Sequence, residues 1–318
     1  MKLPAFRPPE LATLVDAVPA GTDWLFEMKY DGYRCLAALA GEEVRLYTRN
    51  GNDWTRQFGA MREPLAKITK GTALLDGEIC AFDREGHTNF STLKASLSSG
   101  GPLVYFIFDL LEQDGEDLTR LPLVERKARL QKLLGKLGKS SPVQFSDHIE
   151  GNGETVFNAM CSAGHEGVIA KQAYSRYVGD RTKAWLKVKC LKRQEFVIGG
   201  WRPSDKKHTF ASLLLGAWDG DRFVYHGRVG TGFSEKDAAK LQQRLDALAR
   251  ESSPFANTPR DIARVARWVE PELVAEIAYT EVTPDGALRH PSFMGLREDK
   301  PARSVRMEVA LPTAQVAP

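Results

Sequence analysis

Residues that build metal clusters and disulfide frameworks are scarce in this sequence. The four cysteines are scattered without a C-x-x-C pair, and the six histidines form no H-E-x-x-H signature. The spacing therefore predicts neither a zinc module nor a disulfide framework, and it favours a reducing environment. The cysteines are Cys35, Cys80, Cys161 and Cys190.

Long apolar runs and a large charge excess are also missing. The N-terminus has no apolar signal-peptide core, and no later stretch approaches the length of a membrane span. We therefore expect a soluble, cytoplasmic protein. The net charge is +3, which neither demands nor excludes a nucleic-acid partner. With 318 residues, 42% of them hydrophobic, the chain is long enough for about two domains.

The first 190 residues alternate strand-like and helix-like patterns. Two strands around Gly41 predict a hairpin, and Asp76-Gly77 predicts a bulge inside the strand Ala73 to Phe82. Hairpins interleaved with helices indicate an α+β fold of antiparallel sheets with flanking helices. Further strands are expected at Leu103 to Leu110, Glu166 to Lys171 and Trp185 to Lys189, and helices at Leu65 to Ile68, Phe90 to Leu97, Leu123 to Leu134 (with its charged residues facing outward) and Glu154 to Cys161.

Short strands dominate after Lys189. We place a boundary near Cys190-Leu191-Lys192, which divides the chain into domains 1–190 and 191–318. Five strands and one helix, Glu235 to Ala249, suit a small β-barrel such as an OB-fold. The Pro-rich residues 1–23 should be irregular, and the tail from Pro312 should be loose. The five strands are expected at Phe196 to Trp201, Ser212 to Trp218, Arg222 to Arg228, Leu273 to Thr280 and Val305 to Ala310.

One lysine stands in an unusual place. The apolar run from Trp24 ends at Lys29, and Asp31 and Gly32 follow. Burying a lone ammonium group is costly and usually lowers its pKa, and a partly neutral amine is a nucleophile. Asp31 would orient this amine or help to hold a metal. A Lys–Asp ion pair at a strand end is the simpler interpretation of this segment taken alone.

Other charged residues occupy strand positions where apolar side chains are expected. Lys187 and Lys189 alternate with apolar neighbours, so both share one face of their strand. An exposed sheet face would give the same alternation. Taken together, carboxylates and cations around Lys29 would form a site for a metal and a triphosphate. The set comprises Asp31, Glu78, Glu166, Arg34, Arg49, Lys187 and Lys189, with Phe108 as either an aromatic face for a base or plain core.

Two glycine motifs for phosphate binding are incomplete. Gly138-Lys139-Ser140 resembles the end of a P-loop, but Leu133 occupies the position of the required earlier glycine. Gly230-x-Gly232 is not completed either. Use of a nucleotide therefore requires a different architecture.

Six short segments follow one another in a recognisable order, and a seventh lies near the end. They are Lys29-Tyr30-Asp31-Gly32, Thr48-Arg49-Asn50-Gly51, Leu75-Asp76-Gly77-Glu78, Phe106-Ile107-Phe108-Asp109, Glu166 to Lys171, Trp185 to Lys189, and Phe293 to Lys300. This series resembles the nucleotidyltransferase motifs of ATP-dependent DNA ligases, with the last motif in an OB domain. The motif sequences are most similar to those of the ligase domains of the bacterial end-joining ligase D family, and the resemblance extends over about Pro4 to Leu311.

The resemblance implies a three-step reaction with ATP and Mg²⁺ or Mn²⁺. Lys29 attacks the α-phosphate and forms lysyl-AMP, AMP passes to the 5′-phosphate of a DNA nick, and the 3′-OH attacks and releases AMP. It also implies an adenylation domain followed by an OB-fold barrel that closes over ATP and then swings to clamp DNA, with Cys190-Leu191-Lys192 as the hinge.

The resemblance also implies a role for each motif residue. Glu27 lies at the adenine edge, Phe108 stacks on adenine, and Glu78 reads the ribose. Arg34 and Arg49 reach the ribose or phosphates, and Lys187 and Lys189 hold the α-phosphate. Asp31 and Glu166 are the metal candidates, and Arg297, Asp299 and Lys300 orient pyrophosphate.

A basic segment gives separate evidence for DNA contact. The thirteen positions from Arg181 to Arg193 hold six basic residues and no acidic one. Lys192, Arg193 and the Lys206-Lys207 loop are predicted to contact the phosphate backbone of nicked or broken double-stranded DNA. The expected location is therefore the nucleoid in the cytoplasm, and an end-joining partner such as Ku is expected to supply affinity for nicks.

Three alternatives stay open. A capping-type guanylyltransferase shares the Lys29 motif and an OB domain, and an RNA ligase is a further rival. A non-catalytic DNA-end-binding protein could retain the fold, although the intact charged residues argue against it. The missing DNA-binding, polymerase and phosphoesterase domains are compatible with a stand-alone small ligase or an excised domain.

Overall fold

The chain folds into two compact units. One contains the residues up to Cys190 together with the segment from Ala310, and the other contains the residues between them. The computed structural model describes residues 1–135, 137–138, 140–190, 192–204, 209–283 and 286–316. The C-terminal segment therefore departs from the expected 191–318 domain and is not loose: Asp16 accepts a hydrogen bond from the Thr313 backbone at 2.9 Å, and Val316 is buried.

In the residues that the structure describes, two sheets and four α-helices build the first unit. The strands are β1 (Leu11–Leu14), β2 (Trp24–Met28), β3 (Tyr33–Ala40), β4 (Glu43–Thr48), β5 (Thr72–Cys80), β6 (Val104–Gln113), β7 (Glu116–Asp117), β8 (Val143–Phe145), β9 (His148–Glu150), β10 (Gly167–Gln172) and β11 (Arg181–Lys189). The helices are α1 (Arg62–Ala66), α2 (Phe90–Ser99), α3 (Leu123–Leu134) and α4 (Gly153–Ser162).

The two sheets of this unit have different strand orders. Sheet one runs β1-β11-β10-β2-β9, and sheet two runs β4-β3-β5-β6-β7 with β8 beside β6. They face each other across a buried cluster that includes Phe108 from β6 and Trp185 from β11. Strand β1 pairs in parallel with β11, so the expectation of an irregular N-terminal segment was wrong at Leu11–Leu14. Its backbone partners lie about 170 positions away in the chain, and local sequence does not reveal them.

The predicted hairpin and bulge are both present. Strands β3 and β4 pair around a turn in which Gly41 has a φ of +60°, a conformation that favours glycine. The register of β5 against β6 shifts between Asp76 and Gly77. A Cβ atom at Gly77 would lie 2.3 Å from the Phe106 carbonyl oxygen, so only glycine fits this close approach.

Helix α3 has the predicted bounds, but two of its charged residues face inward. Arg126 and Lys127 are buried, whereas outward positions were expected for them. The helical pattern could not show this, because their partners are carboxylates on β6 and β2. Arg126 holds Asp109 with two contacts of 2.8 Å, and Lys127 contacts Glu27 at 2.8 Å.

Cys161 and Cys190 form a disulfide, which the prediction of no disulfide framework did not anticipate. They are separated by 29 positions, a spacing that matches no common motif. The fold brings them together because the Cys190 backbone donates to the Glu166 carbonyl at 2.9 Å, beside the end of α4. Cys35 and Cys80 are free and buried.

The second unit is built around one long strand. Strand β12 pairs with β13, β16 and β17, and β17 pairs with β20. The elements are β12 (Lys192–Pro203), β13 (Phe210–Asp219), β14 (Arg222–Val229), α5 (Glu235–Ala247), β15 (Ala249–Arg250), α6 (Arg260–Ala263), β16 (Arg267–Val269), β17 (Val274–Tyr279), β18 (Glu281–Val282), β19 (Leu288–Arg289) and β20 (Ser292–Arg297).

Four of the five predicted strands and the helix of this unit are confirmed. The strand expected at Val305 to Ala310 was wrong, because that segment forms no strand ladder; the Val305 carbonyl instead accepts one hydrogen bond from the Trp218 N–H. Strand β20, which was not among the five predicted strands, pairs with β17 and contains most of the last motif. None of the helices in the described residues is long and apolar enough to cross a membrane.

The disulfide should contribute measurably to stability. Closing a loop of 29 positions restricts the unfolded chain, so the Cys161→Ser/Cys190→Ser variant should lose about 3 to 4 kcal/mol in urea unfolding. Thiol titration of the denatured protein should find two thiols before reduction and four after it. Four thiols without reductant would contradict the pairing.

Candidate active site

Lys29 lies where β2 ends and β10 begins. Its backbone N–H donates to the Gly167 carbonyl at 2.9 Å, and its ammonium group pairs with the Glu166 carboxylate. The side chain of Lys29 retains 19% exposure, whereas that of Glu166 retains 5%. An ion pair is therefore present at this strand end, and its carboxylate belongs to Glu166, directly before β10, whereas the simpler interpretation had named Asp31. The amine is held in place and still reaches the surface of the unit.

Two predicted lysines belong to the same end of this sheet. Lys187 lies opposite Ile169, and Ile169 lies opposite Glu27, so these residues form one row across β11, β10 and β2. The next row contains Lys189 opposite Gly167, whose carbonyl binds the Lys29 backbone. The predicted sharing of one face by Lys187 and Lys189 is confirmed. The fold thus brings two further cations beside the end of β2.

Asp31 lies just beyond Lys29 and is buried. Its carboxylate accepts a hydrogen bond from the Phe90 backbone at 3.2 Å, in the first turn of α2, and its own N–H donates to Thr88 at 3.1 Å. A Cβ atom at Gly32 would lie 2.2 Å from the Ile79 carbonyl oxygen. The glycine is therefore required for the chain to pass under β5 after the motif lysine.

Sheet two contributes a second row of predicted residues. Arg34 lies opposite Glu78, and Glu78 lies opposite Phe106. The guanidinium of Arg34 donates to both Asp76 oxygens at 2.6 Å, and Asp76 raises the pKa of Arg34 above its ordinary value despite the opposing effect of burial. Arg34 is therefore anchored inside the protein as well as placed beside Glu78. Arg49, which follows β4, is half-buried.

Phe108 is more enclosed than an open stacking platform would be. Its ring is 7% exposed, and the Arg34 guanidinium lies 4.6 Å from the ring centre. The Lys171 ammonium lies 4.1 Å from the centres of both Phe108 and Trp185. Sequence reasoning missed Lys171 as a site residue, although it also ends an apolar strand segment, which was the signal used for Lys29.

Glu27 is the centre of a buried ion-pair network. Its Oε1 accepts from Lys127 at 2.8 Å, and its Oε2 accepts from Lys171 and from the Ser146 hydroxyl, each at 2.9 Å. Burial alone would raise the pKa of Glu27, but the two lysines hold it below its ordinary value. Burial and the like charge of Lys127 lower the pKa of Lys171 to about 8, against the opposing effect of Glu27. Lys127 was also missed, because it belongs to no motif.

Two carboxylates, Asp31 and Glu166, were predicted as metal ligands. Within the described ranges, no group of three or more His, Cys, Asp and Glu side chains is arranged to hold a metal ion. Mg²⁺ commonly binds one or two carboxylates and completes its shell with water and substrate phosphates. Asp31 and Glu166, both oxygen donors next to the Lys29 segment, fit that chemistry.

The last motif lies in an ion-pair network of the second unit. Arg297 contacts both Asp299 oxygens at 2.8 Å and Glu276 at 2.9 Å, and Lys300 pairs with Glu195. Burial opposes the charge of Arg297, but Asp299 and Glu276 raise its pKa well above the ordinary value. The motif residues are therefore fixed by carboxylates of β12 and β17.

The predicted DNA contacts can be located only in part. Lys192 is exposed and opens β12, and Arg193 beside it is half-buried. Lys206 and Lys207 lie outside the described residues, as does Leu191 of the predicted hinge.

Comparison with protein families gives two adjoining matches. Residues 9–189 match the family described as ATP dependent DNA ligase domain, and residues 206–300 match the ATP dependent DNA ligase C terminal region.

Individual relatives agree with these matches. The chain is 39% identical over 314 residues to the multifunctional non-homologous end joining protein LigD of Pseudomonas aeruginosa, which covers 96% of this chain and 37% of that protein. It is 37% identical over 290 residues to a LigD of Mycobacterium tuberculosis, covering 90% and 38%. The chain therefore spans less than two fifths of the length of these relatives.

Solved structures show the same similarity. Mycobacterial DNA ligase D complexed with ATP and MES has a TM-score of 0.66 and 35% identity, with 94% of this chain and 98% of that chain covered. The ligase domain from M. tuberculosis LigD has a TM-score of 0.51, also with 35% identity and the same coverage.

The pKa of Lys171 should be visible in stability measurements. Because its folded value of about 8 lies below the ordinary 10.5, the unfolded chain holds more protons at this site between those values. The free energy of unfolding of wild type, relative to Lys171→Met, should therefore rise with pH, by up to about 3 kcal/mol.

Urea unfolding of both proteins at about pH 7.5 and about pH 10 measures this difference. The exposed Lys132→Met variant serves as the control and should show no such pH dependence. A difference between wild type and Lys171→Met that is independent of pH would contradict the lowered pKa.

Proposed function

Because this chain belongs to the ATP-dependent DNA ligase family, we propose that it seals nicked or broken double-stranded DNA by way of a lysyl-AMP intermediate on Lys29. The observation that carries the proposal is the placement of Lys29. Its amine is held by Glu166 at the end of β2, remains partly exposed, and lies in the row next to Lys187.

The first step is attack of the Lys29 nitrogen on the α-phosphorus of ATP. The new P–N bond forms as the bond to pyrophosphate breaks, and the amine must lose a proton. Glu166 is in contact with that ammonium group, and its carboxylate is within reach of the proton. Lys187 and Lys189 supply positive charge for the α-phosphate oxygens.

Asp31 and Glu166 would hold Mg²⁺ or Mn²⁺, which supplies charge for the triphosphate when bound. Phe108 and Glu27 are proposed at the face and edge of adenine, and Glu78 and Arg34 in the adjoining row at the ribose. Arg49 is proposed at the ribose or phosphates. The support for these roles is their match to the family motifs and their shared position on the facing sides of the two sheets.

The later steps act on DNA. AMP is transferred from Lys29 to the 5′-phosphate of the nick, and the 3′-OH then attacks that phosphate and releases AMP. Lys192, Arg193, Lys206 and Lys207 are proposed to bind the DNA backbone, and Arg297, Asp299 and Lys300 to orient pyrophosphate. By the resemblance to the family, we also propose a hinge at residues 190–192. An end-binding partner such as Ku and a location at the nucleoid are proposed because relatives are named as end-joining proteins.

Labelling tests the covalent step directly. With Mg²⁺ or Mn²⁺ and α-labelled ATP, wild type should acquire label and Lys29→Ala should acquire none, while the exposed-lysine control Lys67→Ala should label normally. A chase with nicked DNA should remove the label as the strand is sealed. Labelling by GTP alone would indicate a capping-type enzyme, and no label from either nucleotide would favour a DNA-end-binding protein.

The role of Arg297 can be separated from its contribution to folding. Arg297→Ala should slow lysine adenylation by about a hundredfold, because it removes a charged donor for pyrophosphate. Sealing of a pre-adenylated nick should change only a few-fold. The substitution also leaves Glu276 and Asp299 without this cation, so the sealing step is the internal control for an intact second unit. Equal loss in both steps would refute the assignment.

A further inference from the structure

Helix α3 runs along the face of β2 that leads to Lys29. Alternate residues of a strand share one face, so Leu25, Glu27 and the following Lys29 position lie in one line. Leu25 packs against Leu123 at the start of α3. Lys127, one helical turn later, contacts Glu27. Helix α3 therefore follows β2 towards Lys29. It places the buried ammonium group of Lys127 against the carboxylate of Glu27 on that strand.

Most of the acceptor capacity of Glu27 is already used. A carboxylate offers about four lone-pair positions. Lys127, Lys171 and the Ser146 hydroxyl occupy three of them, and Lys127 also donates to the Ser146 carbonyl at 3.0 Å. The side chains of Glu27 and Lys127 are each only 2% exposed. The carboxylate is therefore held from two sides with about one acceptor position remaining.

The neighbours of the Glu27 carboxylate indicate what it could bind. Lys171 bridges from Glu27 to the rings of Phe108 and Trp185, so the carboxylate lies beside the aromatic pair. Under the proposed function, on which this inference rests, Phe108 stacks on the base. Adenine presents an amino group at its 6 position, where guanine presents an oxygen acceptor. A fixed carboxylate with one remaining acceptor position can bind the amino group of adenine but not the oxygen of guanine.

We propose that Lys127 is a positioning residue for nucleotide recognition, which holds the Glu27 carboxylate in the orientation that accepts a hydrogen bond from the 6-amino group of adenine. Lys127 does not touch the nucleotide. Without it, Oε1 of Glu27 loses its donor, and the carboxylate can rotate about the contacts that Lys171 and Ser146 make with Oε2.

Anchoring of the helix does not require Lys127. The adjacent Arg126 is fully buried, holds Asp109 of β6 with two contacts, and donates to the carbonyls of Leu121 and Ser175 at 2.7 and 3.0 Å. Arg126 therefore attaches α3 to the rest of the unit. Removing the charge of Lys127 should leave the helix in place.

The experiment compares ATP with purine riboside triphosphate, which has the same ring system without the 6-amino group. The rate of lysyl-AMP (or lysyl-nucleotide) formation is measured against nucleotide concentration for wild type, Lys127→Met, Lys127→Arg and the exposed control Lys132→Met. Thermal unfolding of each variant is recorded alongside, to verify that the first unit is folded.

For Lys127→Met we expect the ATP concentration at half-maximal rate to rise roughly tenfold to a hundredfold, the effect of losing one hydrogen bond to a charged group. The limiting rate should change little. With purine riboside triphosphate, the variant and wild type should behave alike. Lys127→Arg should restore part of the affinity for ATP, and Lys132→Met should match wild type.

An equal loss with both nucleotides would show a general structural role and overturn the proposal, as would unchanged use of ATP by a folded Lys127→Met. Wild type supplies a test even if that variant does not fold: equal affinity for ATP and purine riboside triphosphate would overturn the proposal. Absence of any nucleotide transfer to wild type would instead overturn the proposed function.

Discussion

Pairing of buried charges is the constraint on which the first unit depends. Glu27, Asp76 and Asp109 are almost completely buried. Each is held by a cation from another element: Glu27 by Lys127 and Lys171, Asp76 by Arg34, and Asp109 by Arg126. Removing one partner of a buried pair typically costs about 3 to 5 kcal/mol, because the other charge is left uncompensated. These pairs therefore fix α3 and both sheets to one another.

Lys29, the proposed nucleophile, lies at the edge of this frame of ion pairs. Lys29 is two positions beyond Glu27, so the network that fixes the strand also fixes the direction from which its amine emerges. Its own partner, Glu166, directly precedes the neighbouring strand, and the side chain of Lys29 remains partly exposed. A nucleophile that must be aligned and still reach its substrate requires this combination of a fixed backbone and an accessible amine.

In the second unit, ion pairs likewise hold the charged residues of the motif in place. Arg297 and Lys300 belong to the last family motif, yet both are paired with carboxylates of their own unit. The positions of Arg297 and Lys300 are therefore defined by Glu276, Asp299 and Glu195, without a contribution from a nucleotide. Charged motif residues in both units are thus oriented by ion pairs that also stabilise the fold.

The sequence by itself determined the order of the motifs, the β3–β4 hairpin, the bulge at Gly77 and most helix bounds, since turn residues and hydrophobic periodicity act over a few neighbouring positions. It also singled out Lys29 and Glu166. Only the tertiary structure decided that Lys127 and Lys171 share Glu27, that Cys161 bonds Cys190, and that Leu11–Leu14 is a strand. Each of these depends on a partner far away in the chain, and local patterns contain no information about which distant charge or backbone group will lie opposite.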